Sequence, residues 1–277
     1  MEILDGKKIA AKKLLALKES IAKSGREPQF AVILVGDDEA SHLYVKLKEK
    51  AAKEVGIELR KYLFAENAVQ EEILTCVNFL NSDVDTDGII VQMPLPEHLN
   101  ANEIIAAIDP EKDVDGFHEE NVVAFSNGSE KVWPVFPRAL MLLLENTDVR
   151  LSDKSVSLVV NSQRFGEVLA IACERYSMRP HIVLEKQLAC QQAQILASDV
   201  VITACGKPGI ITGQYIKKDT IIIDGGISTK DGKTVGDVDV SSVEKKASYL
   251  SLVPGGVGPV TIACLLENVF ALNEKRK

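Results

Sequence analysis

The sequence predicts an α/β protein of two lobes, and three observations carry that prediction. Apolar, strand-like runs alternate with helix-period segments along almost the whole chain. Several of those runs are apolar at every position, as expected for parallel strands covered by helices on both faces. The alternation fades near "VDGFHEENVVAFSNGSEKVWP", where Gly, Ser, Asn and Pro gather. The expected division is therefore residues 1–118 and 119–277, joined through about 115–140, with the last helix (about 259–273) packing back on the first lobe. A cleft between two such lobes is the expected place for a ligand.

The elements follow in order. "MEILDGKKIAAKKLLALKES" reads as an amphipathic first helix. It lacks the uninterrupted apolar core of a secretory signal, and Glu2, Asp5 and Glu19 count against a transit peptide. "FAVILVG" is a strand, and a helix runs from about Ala40 until Gly56 stops it. "DGIIVQMPLP" is a short strand ended by Pro94 and Pro96, which cannot continue a ladder. Past the boundary, "SVSLVV", "PHIVLE", "DVVITAC" and "TIIIDGG" recur as strands with helices between them. "LVPGGVGPVTIACLLENVFAL" is a glycine-proline loop running into an apolar helix.

Composition narrows the function classes. The chain has 277 residues and a formal net charge of −8, which gives no field to attract nucleic acid or an anionic membrane. No apolar run approaches the ~20 residues of a membrane-spanning helix. Five scattered cysteines without a C-x-x-C pair read as reduced thiols in a cytoplasmic protein. His42, His98, His118 and His181 make no helical metal pair, so no metal is expected.

Four stretches could carry chemistry. Ser41, Tyr44 and Lys48 fall at i, i+3 and i+7, one face of a helix, where a phenol and an amine can transfer a proton. The same helix bears Lys46, Lys50 and Lys53, so a solvated face is the competing reading. Asp113 and Asp115 precede Gly116, and either form a turn or present a carboxylate to ligand N–H groups. Gln92 ends an apolar strand as a capping amide or a ligand donor. Pro254, Gly255 and Gly256 form a loop through which backbone N–H groups can reach a ligand, or which packs tightly on the sheet. The stretch "SLVVNSQRFGEVLAIA" is a strand, a turn and a helix with the layout of a dinucleotide site, but with a single glycine, Gly166.

Taken together, the chain resembles the bifunctional methylenetetrahydrofolate dehydrogenase/methenyltetrahydrofolate cyclohydrolase family. The likeness lies in "ILDGKKIA", "VGDDEASHLYVKLKEKAAKEVGI", "DGIIVQMPLPEHLN", "IDPEKDVDGFHEEN", "VGDVDV" and "VPGGVGPVTIACLLENV", in that order over nearly the whole chain. The resemblance implies an N-terminal α/β folate lobe and a C-terminal Rossmann-like parallel-sheet lobe, with folate held against NADP or NAD. It implies a homodimer that takes a folate substrate, polyglutamylated or not, in one-carbon metabolism serving purine biosynthesis. By motif, Lys48 would be the general base or acid, Tyr44 would stack on or orient the folate, and Gln92 would hydrogen-bond Lys48. Asp115 would grip the pterin ring, Ser41 would be a supporting hydroxyl, and Pro254, Gly255 and Gly256 would line the substrate.

The departures from the family concern the other ligand. The family's Gly-Arg-Ser turn, followed by Val-Gly-x-Pro, is here Asn161-Ser162-Gln163-Arg164-Phe165-Gly166-Glu167-Val168, one residue shorter. Asn161, Ser162, Gln163, Arg164 and Gly166 are the cofactor-binding candidates, with Arg164 a replacement for the arginine that meets the 2′-phosphate. Glu167 is expected at the helix N-terminus, where a carboxylate competes with a phosphate for the same dipole end. The family's His-Ser-Lys-Thr after the next strand is here "VLEKQ", Val183 to Gln187, without the serine or threonine. Pro-Cys-Thr-Pro-x-Gly becomes Pro134-Val135-Phe136-Pro137-Arg138-Ala139, where the bulky Phe136 in place of a threonine is expected to intrude on the cleft. The favoured expectation is a cyclohydrolase with weak or absent NAD(P) use. The alternatives are the full bifunctional enzyme with a rebuilt dinucleotide site, and a non-catalytic folate- or partner-binding subunit.

Overall fold

The computed structural model describes residues 1–275. In chain order, β1 (Glu2–Leu4) leads into α1 (Gly6–Ser24), β2 (Gln29–Val35), α2 (Glu39–Val55), β3 (Glu58–Phe64), α3 (Gln70–Ser82) and β4 (Gly88–Val91). Three helices follow without an intervening strand: α4 (Ala101–Ala106), α5 (Glu119–Asn127) and α6 (Val135–Glu145). Then come β5 (Ser155–Val160), α7 (Gln163–Arg175), β6 (Arg179–Leu184), α8 (Gln192–Ala197), β7 (Val200–Ala204) and β8 (Thr220–Asp224). A hairpin of β9 (Ser228–Lys230) and β10 (Lys233–Val235) precedes α9 (Val240–Val243), β11 (Ala247–Ser251) and α10 (Val257–Lys275). No described helix is long and apolar enough to cross a membrane.

The chain forms two compact units. One comprises Met1–Ala10 with Phe136–Thr261; the other comprises Ala11–Val135 with the residues from Ile262 onward. The segment of fading periodicity is not irregular, because α5 occupies Glu119–Asn127, capped at its start by His118 and closed by Gly128 in the left-handed region. Its polar first turn and short apolar stripe hid the helical period from the sequence reading.

The first unit is built on a six-stranded sheet in the order β1-β11-β8-β7-β5-β6, parallel throughout. β5, β7 and β8 are buried almost end to end because helices cover both faces. On one face Val159, Val183, Val201, Ile222 and Leu250 pack with Ile195, Ile211, Ile216 and Val243. Burying each such side chain stabilises the fold by roughly 1.5–3 kcal/mol.

Two buried carboxylates fix the loops at the C-terminal ends of β7 and β8. Asp237 accepts from the Thr203 hydroxyl (2.8 Å) and from the backbone N–H groups of Cys205 (2.6 Å) and Lys207 (2.7 Å). Asp224 accepts from the backbone N–H groups of Gly226, Asp237 and Val238 at 3.0–3.1 Å. Burial still pushes the Asp224 carboxyl up to about 6.

The second unit has a three-stranded parallel sheet, β3-β2-β4. Every position of β2 after Gln29 is buried, with Ala31, Ile33 and Val35 packing with Ile73, Val77 and Leu80 of α3 and Ile104 of α4. Lys112 is buried too, its ammonium donating to the carbonyls of Leu80 and Asp83 at the end of α3 (2.7 Å each). β3 is the edge strand, with alternating exposure.

In the six-stranded unit, a Cβ on Gly6 would lie 1.8 Å from the Gly256 carbonyl oxygen, a backbone atom that cannot step aside as a side chain can. Gly6→Ala is therefore expected to cost about 1–3 kcal/mol by overpacking, seen as a lowered urea midpoint. An unchanged midpoint would mean that the Gly255–Gly256 loop shifts without cost.

Candidate functional site

Asp38 caps α2, its carboxylate accepting from the Ser41 N–H at 2.7 Å, and the cap sets which residues of the helix face inward. Ser41 and Lys48 are buried, Tyr44 is half-buried, and Lys46, Lys50 and Lys53 are exposed. The seven-residue spacing thus separates one lysine from its neighbours on the same helix. β4 delivers Gln92, tied to the sheet by its N–H on the Ile33 carbonyl (2.8 Å).

The two elements meet at Lys48, whose ammonium donates to Gln92 Oε1 at 2.9 Å. Gln92 Nε2 donates to the Met93 carbonyl at 2.7 Å, so the amide is fixed with its oxygen toward the lysine. The Ser41 hydroxyl reaches the same carbonyl at 3.5 Å. The ammonium also lies 5.3 Å from the centre of the Tyr44 ring, within cation–π range.

Burial lowers the Lys48 pKa to about 8, against an opposing pull from the Asp115 charge. Asp115 keeps part of its surface exposed, yet loss of water is the main influence on it. That and the neighbouring Asp113 push it up to about 6, while Lys48 pulls the other way. The two aspartates divide their work. Asp113 accepts from the N–H groups of Gly116 (3.0 Å) and His118 (2.7 Å) and from the Asn121 amide (3.0 Å), locking the loop. Among the described residues this unit holds a weakly basic amine, an amide that orients it, a phenol ring and a carboxylate. Such a set can move a proton and hold a polar heterocycle.

The remaining predicted residues lie in the six-stranded unit. Pro254 is exposed, Gly255 takes φ +110°, and Gly256 donates to the Leu252 carbonyl at 2.7 Å, so the loop is held by its own backbone. Asn161, Ser162, Gln163 and Arg164 are exposed at the C-terminal end of β5 and the start of α7. Gly166 is not a turn glycine. It lies inside α7, and a Cβ there would meet Ile182 at 2.8 Å and Val160 at 3.1 Å, so its role is close packing of helix on sheet.

Glu167 requires a correction. α7 starts at Gln163, capped by Ser162, and has no acidic residue in its first turn. Glu167 sits one turn further in, where its carboxylate accepts from the Gln163 amide at 3.0 Å. Because α7 already begins at Gln163, Glu167 is its fifth residue and stands beyond the first-turn N–H groups it was expected to occupy. Phe136 packs 5.3 Å (ring centres) from Phe165 and against Gly225, within the six-stranded unit.

The sequence reading did not mark Glu185 as a ligand candidate. It follows β6 directly, and its carboxylate lies 2.8 Å from the Lys207 ammonium beyond β7. The signal available in the sequence was an acid about twenty residues after Gly166, at the end of the second strand of a strand–helix–strand unit.

Comparison with known proteins agrees with this architecture. Residues 4–115 match the tetrahydrofolate dehydrogenase/cyclohydrolase catalytic domain, and residues 134–277 match the NAD(P)-binding domain of the same family. The bifunctional protein FolD of Vesicomyosocius okutanii is 41% identical over the whole of both chains. The crystal structure of the bifunctional FolD methylenetetrahydrofolate dehydrogenase/cyclohydrolase of Campylobacter jejuni superposes with a TM-score of 0.92, at 38% identity and complete coverage of both chains. A Trypanosoma brucei enzyme of the same type, complexed with NADP cofactor and an inhibitor, gives a TM-score of 0.92 at 30% identity, covering 99% of this chain and 97% of that one. The chain is therefore an enzyme of tetrahydrofolate one-carbon interconversion and belongs to the tetrahydrofolate dehydrogenase/cyclohydrolase family.

Proposed function

We propose that this protein is a full bifunctional enzyme, oxidising methylenetetrahydrofolate with a nicotinamide dinucleotide and hydrolysing methenyltetrahydrofolate to formyltetrahydrofolate. The observation that carries the reading is the buried Lys48 amine held on the Gln92 amide, with its pKa brought down to about 8. The expectation of weak or absent NAD(P) use is not borne out. Relatives matching over the full length are bifunctional, and the acid thought to block a phosphate stands outside the first turn of α7.

The six-stranded unit fits a dinucleotide. α7 presents an N-terminus free of acidic residues at the end of β5, next to the point where the strand order reverses between β5 and β7. Asn161, Ser162, Gln163 and Arg164 would hold the phosphates there, and Gly166 lets the helix sit close on the sheet. When bound, the dinucleotide supplies the hydride acceptor.

The folate-side residues do the proton chemistry. The methenyl substrate is a cation, so its charge disfavours protonated Lys48 and enlarges the neutral fraction. The neutral amine takes a proton from water as its oxygen bonds to the methenyl carbon. Cleavage of one carbon–nitrogen bond then leaves the formyl group, and the departing nitrogen receives a proton. Asp115, ionised at neutral pH, accepts from paired N–H groups of the pterin and orients it. Tyr44 stacks on the ring, and Gln92 and Ser41 keep the helix face in register.

Lys48→Met is expected to lower hydrolysis by about 10²–10⁴-fold while folate still binds. In the unaltered enzyme, kcat/KM for hydrolysis, corrected for the uncatalysed reaction, rises about tenfold per pH unit below the Lys48 pKa and levels off above it, because only the unprotonated amine is a base. A profile flat from about pH 6 to about pH 9 would remove Lys48 from that role.

Asp115→Asn is expected to weaken folate binding by about 1.5–3 kcal/mol, roughly tenfold to a hundredfold in Kd, measured calorimetrically. Unchanged affinity would end its assignment. The bifunctional reading itself is tested by methylenetetrahydrofolate oxidation with NAD and with NADP, in one preparation shown to hydrolyse methenyltetrahydrofolate. Hydrolysis without oxidation by either dinucleotide would refute it.

A further inference from the structure

β5, α7 and β6 form a strand–helix–strand unit, and in such units the residue that ends the second strand faces the adenosine ribose of a bound dinucleotide. Here that residue is Glu185, the first after β6, in a short 3₁₀ turn running to Gln187. In the sheet, β5 lies between β6 and β7. The ion pair from Glu185 to Lys207 at 2.8 Å therefore crosses over the C-terminal end of β5, the strand that feeds the N-terminus of α7. It marks the edge of the crevice where the strand order reverses.

We infer that Glu185 makes this enzyme select NAD over NADP. The inference rests on the dinucleotide site proposed above. A carboxylate has two oxygens with about four lone-pair sites, so it can accept from the vicinal ribose hydroxyls of NAD while one oxygen stays on Lys207. NADP places a phosphate of roughly −1.5 to −2 charge at the 2′ position, where it meets the same carboxylate with repulsion and without a donor to offer. Lys207 screens part of the carboxylate's charge, but its ammonium is taken up by Glu185, and Lys186, though adjacent, is exposed, so neither is a fixed donor held for a 2′-phosphate. Arg164 lies on the first turn of α7, at the phosphate end of the unit and not at the end of β6.

The test is calorimetric titration of the full chain with NAD⁺ and NADP⁺ in the absence of folate, with thermal shift by each dinucleotide as a second readout. The expected result is NAD⁺ binding at least about tenfold tighter than NADP⁺, with the ratio falling toward unity or reversing in Glu185→Ser. Glu185→Gln, nearly isosteric, serves the same purpose if the serine variant fails to fold, since it removes the charge and keeps the shape. Equal or tighter binding of NADP⁺ to the unaltered chain would overturn the selection while leaving the dinucleotide site in place. A ratio unmoved by either substitution would overturn Glu185 as its source. Binding of neither dinucleotide would overturn the site and the selection together.

Discussion

Every strand of the two principal sheets pairs in parallel, and most of what the molecule can do follows from that constraint. Parallel neighbours need a crossover between them, so helices cover the faces and the strands become apolar on both sides. All strand C-termini in a sheet then open at one edge. Gln92 sits at such an end, as do Ser162, Glu185 and Lys207, each leaving a strand rigidly anchored in the core. Polar side chains are tolerated there because the backbone has left the sheet and the neighbouring carbonyls and N–H groups need partners.

The two units solve the same problem of buried charge with opposite chemistry. In the six-stranded unit, Asp224 and Asp237 are surrounded by backbone N–H donors, and the carboxylates become fixed braces for the loops after β7 and β8. In the three-stranded unit, the buried Lys48 ammonium is met by a neutral amide. A carboxylate in place of Gln92 would satisfy the ammonium more strongly and hold its proton firmly. The Gln92 oxygen orients the amine while leaving burial as the dominant influence, with the Asp115 charge a partial counterweight. That balance leaves part of the Lys48 amine unprotonated near neutral pH.

The parts legible in the sequence are those where one pattern dominates. β5, β7 and β8 are unbroken apolar runs, and α2 ends where Gly56 adopts φ +89°. β3 ("ELRKYLF") and β11 ("ASYLS") escaped notice, because β3 is a half-exposed edge strand and β11 carries two serines. The spacing of Ser41, Tyr44 and Lys48 was visible, but not which lysine of α2 is buried. That depends on Gln92, brought from β4 by tertiary packing. The division of work between Asp113 and Asp115 was likewise invisible, since it turns on Gly116, His118 and Asn121 converging on only one of the two carboxylates.

The misplacement of Glu167 bears on how altered motifs should be read. A helix N-terminus attracts phosphate through backbone N–H groups and the aligned peptide dipoles, and substituting the side chains of the turn leaves those donors in place. What decides whether an acid competes with a phosphate is where the helix begins, and here α7 begins at Gln163, which leaves Glu167 outside the first turn. Side chains act instead where the ligand's variable parts lie. At the end of β6 Glu185 holds a negative charge in an ion pair, the kind of group that discriminates between ligands differing by one phosphate. A motif departure at the backbone-reading end of a dinucleotide site is thus weak evidence for loss of the ligand. A departure at the side-chain-reading end is better evidence for a change of ligand.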